Sequence, residues 1–256
     1  MSVPPKHLES VFAKVARAQQ HLNALDGEIG RYLEDCAKTI SMPVKVNPSA
    51  NAIKLYFAPV AEPPLEISMM IGDCVFNARS SLDHLWKRLN GTNNFPIFAD
   101  LQGPNNWNAH KVAKLATIDP SAHAIIDALQ PCHHGKDAWL HPLAVLNKLS
   151  NQDKHDAIHL TKPHSTDTEY IFMPQGSSRI AHVIRPPVVF HDKTEVVVSD
   201  APSDILQPGM EVKVKGTLFV SLQDSAWASR PIQEILSRII DIIQRGVIAP
   251  LVPYTS

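Results

Sequence analysis

The residues best suited to chemistry fall in two clusters, Asn77, Arg79, Asp83 and His84 in the first, and Asn147, Asn151, Asp153, Lys154 and His155 in the second. An imidazole takes or gives a proton near neutral pH. A guanidinium or ammonium holds an anionic oxygen, and an amide both donates and accepts. Such a set suits general acid/base work at an anionic group, which needs a base, a proton for the leaving atom and positive charge to hold the charge that develops. In that assignment Arg79, His84 and His155 are catalytic. Asn77, Asn147, Asn151 and Lys154 bind substrate, while Asp83 and Asp153 orient their neighbours.

Two helices must position these groups. Residues 66–90 carry Ile67, Ile71, Val75, Ala78, Leu82, Leu85 and Leu89 at helical spacing, the stripe of a long core-facing helix. Arg79 and Asp83, at i and i+4, can pair along it. Arg79 and His84 diverge by roughly 140° on a straight helix. The second helix is expected from Ala138 to about Asn151 and, if it runs on past Ser150, puts Asn147, Asn151, Lys154 and His155 on one face.

The same residues admit two other readings. A buried polar network that fixes the packing of two helices would make this a binding or accessory protein. A mixed N/O metal site from Asp83, His84, Asp153 and His155 would make it a helical-bundle hydrolase. Thirteen histidines invite that idea. Cys132, His133, His134 and His141 are close in sequence, and His155 and His159 stand at i, i+4. No HExxH accompanies them, so no metal or other cofactor is assigned. GxGxxG, GxxxxGK[ST] and GxSxG are absent.

The run IGDCVFNARSSLDHL, followed by NFPIF, LQP and LNKLSNQDKH, resembles a bacterial family of unknown function over residues 64–160. More loosely, RSSLDH (79–84) is similar to the Arg-x4–6-His motif of the HEPN superfamily of helical ribonucleases. That resemblance implies a helical bundle, usually dimeric, that cleaves RNA without metal. It would put Arg79 and His84 at the active site, with Ser80 as the polar residue after the arginine. Two features depart from it: the motif lies deep within a regular helix, and the last third of the chain is rich in strands.

The rest of the chain reads as α+β. A long helix is expected over residues 5–39, bent at Gly27 or Gly30, then a short hairpin over 43–59. Pro63-Pro64 opens the central helix and Asn90-Gly91 caps it. An irregular stretch over 92–103 carries the aromatic FPIF patch. Short helices follow over 106–116 and after Asp119-Pro120, then a loop over 131–137. From about 160 the period becomes 2. An antiparallel strand meander is expected over 169–173, 179–184, 188–190, 195–199 and 210–222, closed by a helix over 231–246. Residues 1–160 are then expected to form a bundle-like helical part carrying the site, and 161–256 the strands and closing helix, packed on the first part as one unit.

A formal net charge of −1 argues against a broad nucleic-acid surface. Three cysteines without a CxxC suit free thiols in a reducing, cytoplasmic compartment. No apolar run reaches the ~18 residues of a membrane span, and no cleavable leader is evident at the start.

Overall fold

The computed structural model describes residues 5–40, 45–49, 52–56, 60–100, 106–165, 168–173, 181–185, 195–198, 211–223, 227 and 229–255. The helices are α1 (Glu9–Ile40), α2 (Leu65–Arg88), α3 (Trp107–Leu115), α4 (Pro120–Ala128), α5 (Pro142–Asp153), α6 (Ile232–Asp241) and α7 (Ala249–Leu251). The strands are β1 (Lys45–Ser49), β2 (Ala52–Tyr56), β3 (His164–Ser165), β4 (Thr168–Met173), β5 (Ala181–Arg185), β6 (Glu195–Val198), β7 (Glu211–Lys215) and β8 (Leu218–Phe219). The fold is a helix-rich α+β, and α1 runs through Gly27 and Gly30 without a break.

The chain divides into two compact units. Met1–Asp26, Leu65–Ile158 and Gln233–Ser256 form the first; Gly27–Pro64 and His159–Ile232 form the second. The sequence instead predicts one boundary near residue 160, with the closing helix on the strand side. Two long-range associations account for the difference. Strand β6 pairs antiparallel with β2, which ties residues 45–56 to the strand-rich part. The turns after α6 pack on α2 and α7 packs on α4, which draws the chain's end into the helical unit.

In the helical unit the expected stripe is the core. Ile67, Ile71, Val75, Ala78, Leu82, Leu85 and Trp86 of α2 are all buried, as are Val11, Val15 and Leu22 of α1 and Leu143, Leu146 and Leu149 of α5. Each such side chain stabilises by roughly 1.5–3 kcal/mol of apolar burial. The end of α2 is chemically determined. Asn90 adopts φ 63°, and the Gly91 N–H donates to the Trp86 carbonyl at 2.8 Å while the Asn90 N–H donates to Lys87 at 3.1 Å. That is the left-handed Schellman closure. Gly91 sits so close to the Trp86 ring that a Cβ there would lie 2.2 Å from it.

Three short helices are capped by their own sequence. The Asn106 side chain accepts from Ala109 N–H at 2.9 Å, Asp119 from Ser121 N–H at 2.8 Å, and His141 Nδ1 from Leu143 N–H at 3.3 Å. Pro120 and Pro142 occupy first-turn positions, where no N–H is needed. The helix expected from Ala138 therefore begins only at Pro142, because a proline does not fit a helix interior. Residues 131–140 form tight 3-10 turns instead, broken at Gly135 where φ is 57°. The closing helix also differs: past Asp241 it widens into π-type turns over Ile242–Ile248 and ends beyond Gly246.

The second unit holds the sheets. One has the order β1-β2-β6, another β5-β4-β7, and β3 pairs with β8, all antiparallel. Strand order thus departs from chain order, since β6 leaves its sequence neighbours for β2. The expected strand at 188–190, the turns at 175–176, 191–194 and 208–209, parts of the 43–59 hairpin and residues 101–103 lie outside the described residues. The Tyr32 hydroxyl of α1 donates to the Ala61 carbonyl at 2.7 Å, fixing the chain before Pro63-Pro64.

Candidate functional site

Arg79 is committed to the framework. Its side chain is 11% exposed, its Nη2 donates to the Phe95 carbonyl at 2.7 Å, and the same nitrogen lies 3.2 Å from Asp83 Oδ1. Asp83 Oδ1 accepts the Phe95 N–H at 2.9 Å. The pair therefore grips both polar groups of one backbone residue. Burial pushes the Arg79 guanidinium below its usual pKa, with Asp83 acting in the opposite sense. Among the described residues Nη1 has no hydrogen-bond partner.

The chain gripped at Phe95 is held again further on. Gln130, fully buried, accepts the Phe98 N–H at 3.1 Å and donates to the carbonyls of Pro96 (3.3 Å) and Ile126 (3.0 Å). The Cys132 N–H donates to the Phe98 carbonyl at 2.9 Å. Phe95 packs edge-on against Trp86, and Phe98 packs tilted against Trp107. Residues 95–98 lack regular secondary structure, so side chains from α2 and from the end of α4 satisfy backbone groups that a ladder would otherwise pair.

This clamped segment forms one wall of an open cleft of about 440 Å³. Ile97, Phe98, Ala99 and Asp100 line it together with Trp139 and, from α5, Ala144, Asn147, Lys148 and Asn151. Asn147 and Asn151 are thus brought together on one face, as their i, i+4 spacing predicts. Trp139 is 59% exposed. Three separated motifs meet around a fourth, NFPIF: RSSLDH and LQP grip it, and LNKLSN lines the cleft beside it.

The remaining predicted groups go elsewhere. Asn77 is buried, receives a hydrogen bond from Lys14 Nζ at 3.1 Å and donates to the Asp73 carbonyl at 2.8 Å. Asp153 lies against α2 at Gly72, where an added Cβ would meet its carboxylate at 2.1 Å. Burial, and then the charge of Asp73, raise its pKa. Helix α5 ends at Asp153, so Lys154 and His155 follow it as exposed residues, and neither lines the cleft with Asn147 and Asn151. His84 is half-buried, twelve positions beyond Gly72 along α2, about 18 Å at 1.5 Å per residue. The expected meeting of Arg79, His84 and His155 is therefore replaced by an arrangement in which α5's end and His84 sit at different levels of α2.

The metal candidates separate as well. Among the described residues no three His, Cys, Asp or Glu side chains converge to hold an ion. His133 lies 3.2 Å from Asp127, which also accepts from Trp107 Nε1 at 2.5 Å and Lys111 Nζ at 2.6 Å. Burial raises the Asp127 pKa, but these donors outweigh it and hold the carboxyl below its usual value. The His134 ring packs tilted against that of His141, with centroids 4.7 Å apart. The i, i+4 spacing of His155 and His159 falls after α5 has ended.

Gln130, Asp127 and Trp139 were not visible as site residues in the sequence. Only LQP, as one of the spaced motifs, pointed toward Gln130. Comparison with protein-family models, with curated proteins and with solved structures finds no match. No helix among the described residues is long and apolar enough to cross a membrane.

Proposed function

We propose that this is a non-catalytic binding protein whose ligand enters the cleft between residues 97–100 and α5. The observation that carries the reading is the division of labour among polar groups. Arg79, Asp83 and Gln130 hydrogen-bond the protein's own backbone, whereas Asn147 and Asn151 line open space. Buried polar groups that are satisfied internally make a wall rigid, and a rigid wall presents a cleft already formed. The free, buried thiols Cys36, Cys74 and Cys132 fit a reducing cytoplasmic setting. A fragment screen followed by 1H–15N NMR tests the reading: compounds that shift the Trp139 indole signal in a saturable way support it, and a library that moves no cleft residue removes it.

One observation favours a second reading, the HEPN-like metal-independent ribonuclease acting on RNA, with homodimerisation. Among the described residues Arg79 Nη1 is a buried cationic donor without an acceptor, and a phosphate oxygen would supply one. Its test is incubation with RNA in EDTA. Cleavage lost in both Arg79→Ala and His84→Ala, with folding intact, would establish it; cleavage absent or unaffected in both would end it.

A further inference from the structure

Resting on the binding reading, we infer that the cleft takes a neutral, planar heterocycle with a mixed donor and acceptor edge, of the nucleobase or nucleoside class. A tryptophan is ordinarily well buried, yet Trp139 lines the cleft with 59% of its surface exposed. An exposed indole beside a concave surface offers a flat apolar face for a ring to stack on. Asn147 and Asn151, one helical turn apart, present two amides about 6 Å from each other on a regular helix. Each amide donates and accepts, so the pair matches the edge of a single ring system that alternates the two roles.

Charge narrows the class further. Among the described residues one cation, Lys148, and one carboxylate, Asp100, line the cleft, so their formal charges balance. A phosphorylated or polyanionic ligand would meet Asp100 without the cluster of basic groups such ligands need. A volume of about 440 Å³ belongs to the small-molecule range rather than to a polymer groove. Phe98 supplies a second aromatic to the lining, and its ring is fixed by contacts to Trp107 and His110. Its position does not depend on the ligand being present.

The full chain would be titrated to millimolar concentration with adenosine, guanosine, cytidine and uridine, reading the Trp139 indole N–H signal assigned with Trp139→Phe. At least one nucleoside is expected to shift it saturably. The affinity, followed in the variants by the backbone N–H signals of the lining residues Ala99 and Asp100, should fall roughly tenfold or more in Trp139→Leu and in the double variant Asn147→Ala/Asn151→Ala. Melting temperatures within about a degree of the parent would show that fold is retained. No shift with any nucleoside, or binding unchanged in the double variant, overturns the inference. Inorganic phosphate and a methyl glycoside are titrated in parallel. If either moves Trp139 while the nucleosides do not, this ligand class falls and the binding reading stands. If the fragment screen also moves no cleft residue, both fall together.

Discussion

Two polar regions of the helical unit use the same residue types to opposite ends. Around Phe95, a half-buried guanidinium and carboxylate and a fully buried amide are turned on the chain's own backbone. Along α5, two amides and an ammonium border open space. What separates them is the availability of partners rather than composition. A backbone segment without a ladder draws in side-chain donors and acceptors, and groups so engaged are withdrawn from any ligand.

The sharpest way to break this contrast is Arg79→Ala. It takes the donor from the Phe95 carbonyl and the cation from Asp83, which keeps only the Phe95 N–H, so a loss of about 2–4 kcal/mol is expected by urea denaturation. A loss no larger than that of His84→Ala would mean that the clamp is not structural. Gly91→Ala comes next. Its Cβ would press on the buried Trp86 ring, which packs against Phe95, and overpacking of this kind costs about 1–3 kcal/mol. A melting temperature unchanged in that variant would show that the ring can yield.

The cap of α5 gives a pH-dependent test. His141 accepts through Nδ1 only when neutral, and burial, with the neighbouring His134, lowers its pKa from 6.5 to about 4. As pH falls, the unfolded chain binds this proton first, so the contribution is complete above about pH 6.5 and is lost progressively toward pH 4. His141→Asn, a cap that does not titrate, should flatten stability in that window when melting is followed against pH. Asp153 has the opposite sign. Its folded pKa is raised above 3.8, so ionisation disfavours the fold as pH rises through the shifted value. Asp153→Asn should therefore raise the melting temperature slightly at pH 7 and leave it unchanged at pH 3. The smallest effect sharpens the contrast from the other side: Asn147→Ala and Asn151→Ala should each change stability by within about 0.5 kcal/mol, in keeping with groups that serve a ligand rather than the fold.

Much of the helical unit was legible in the chain itself. Periodicity identified the buried face of α2, the Asn90-Gly91 pair marked its end, and Asp119-Pro120 marked the start of α4, because propensity, capping and apolar spacing act over a few residues. The Arg79–Asp83 pair and the shared face of Asn147 and Asn151 were likewise set by helical spacing. The same rule, applied past the end of α5, also assigned Lys154 and His155 to that face, yet neither lines the cleft. Pro142 fixed where α5 could begin, and the prediction from Ala138 passed over it.

Only the tertiary structure decided which polar residues face backbone and which face space. Nothing local to Arg79 says that the Phe95 carbonyl, sixteen residues on, will occupy its Nη2, and nothing local to Gln130 says that it will hold residues 96 and 98. Nor do residues 52–56 announce that they will pair with 195–198. Such pairings depend on loop closure and on the summed burial of whole elements, quantities that belong to the folded chain and to no short stretch of it.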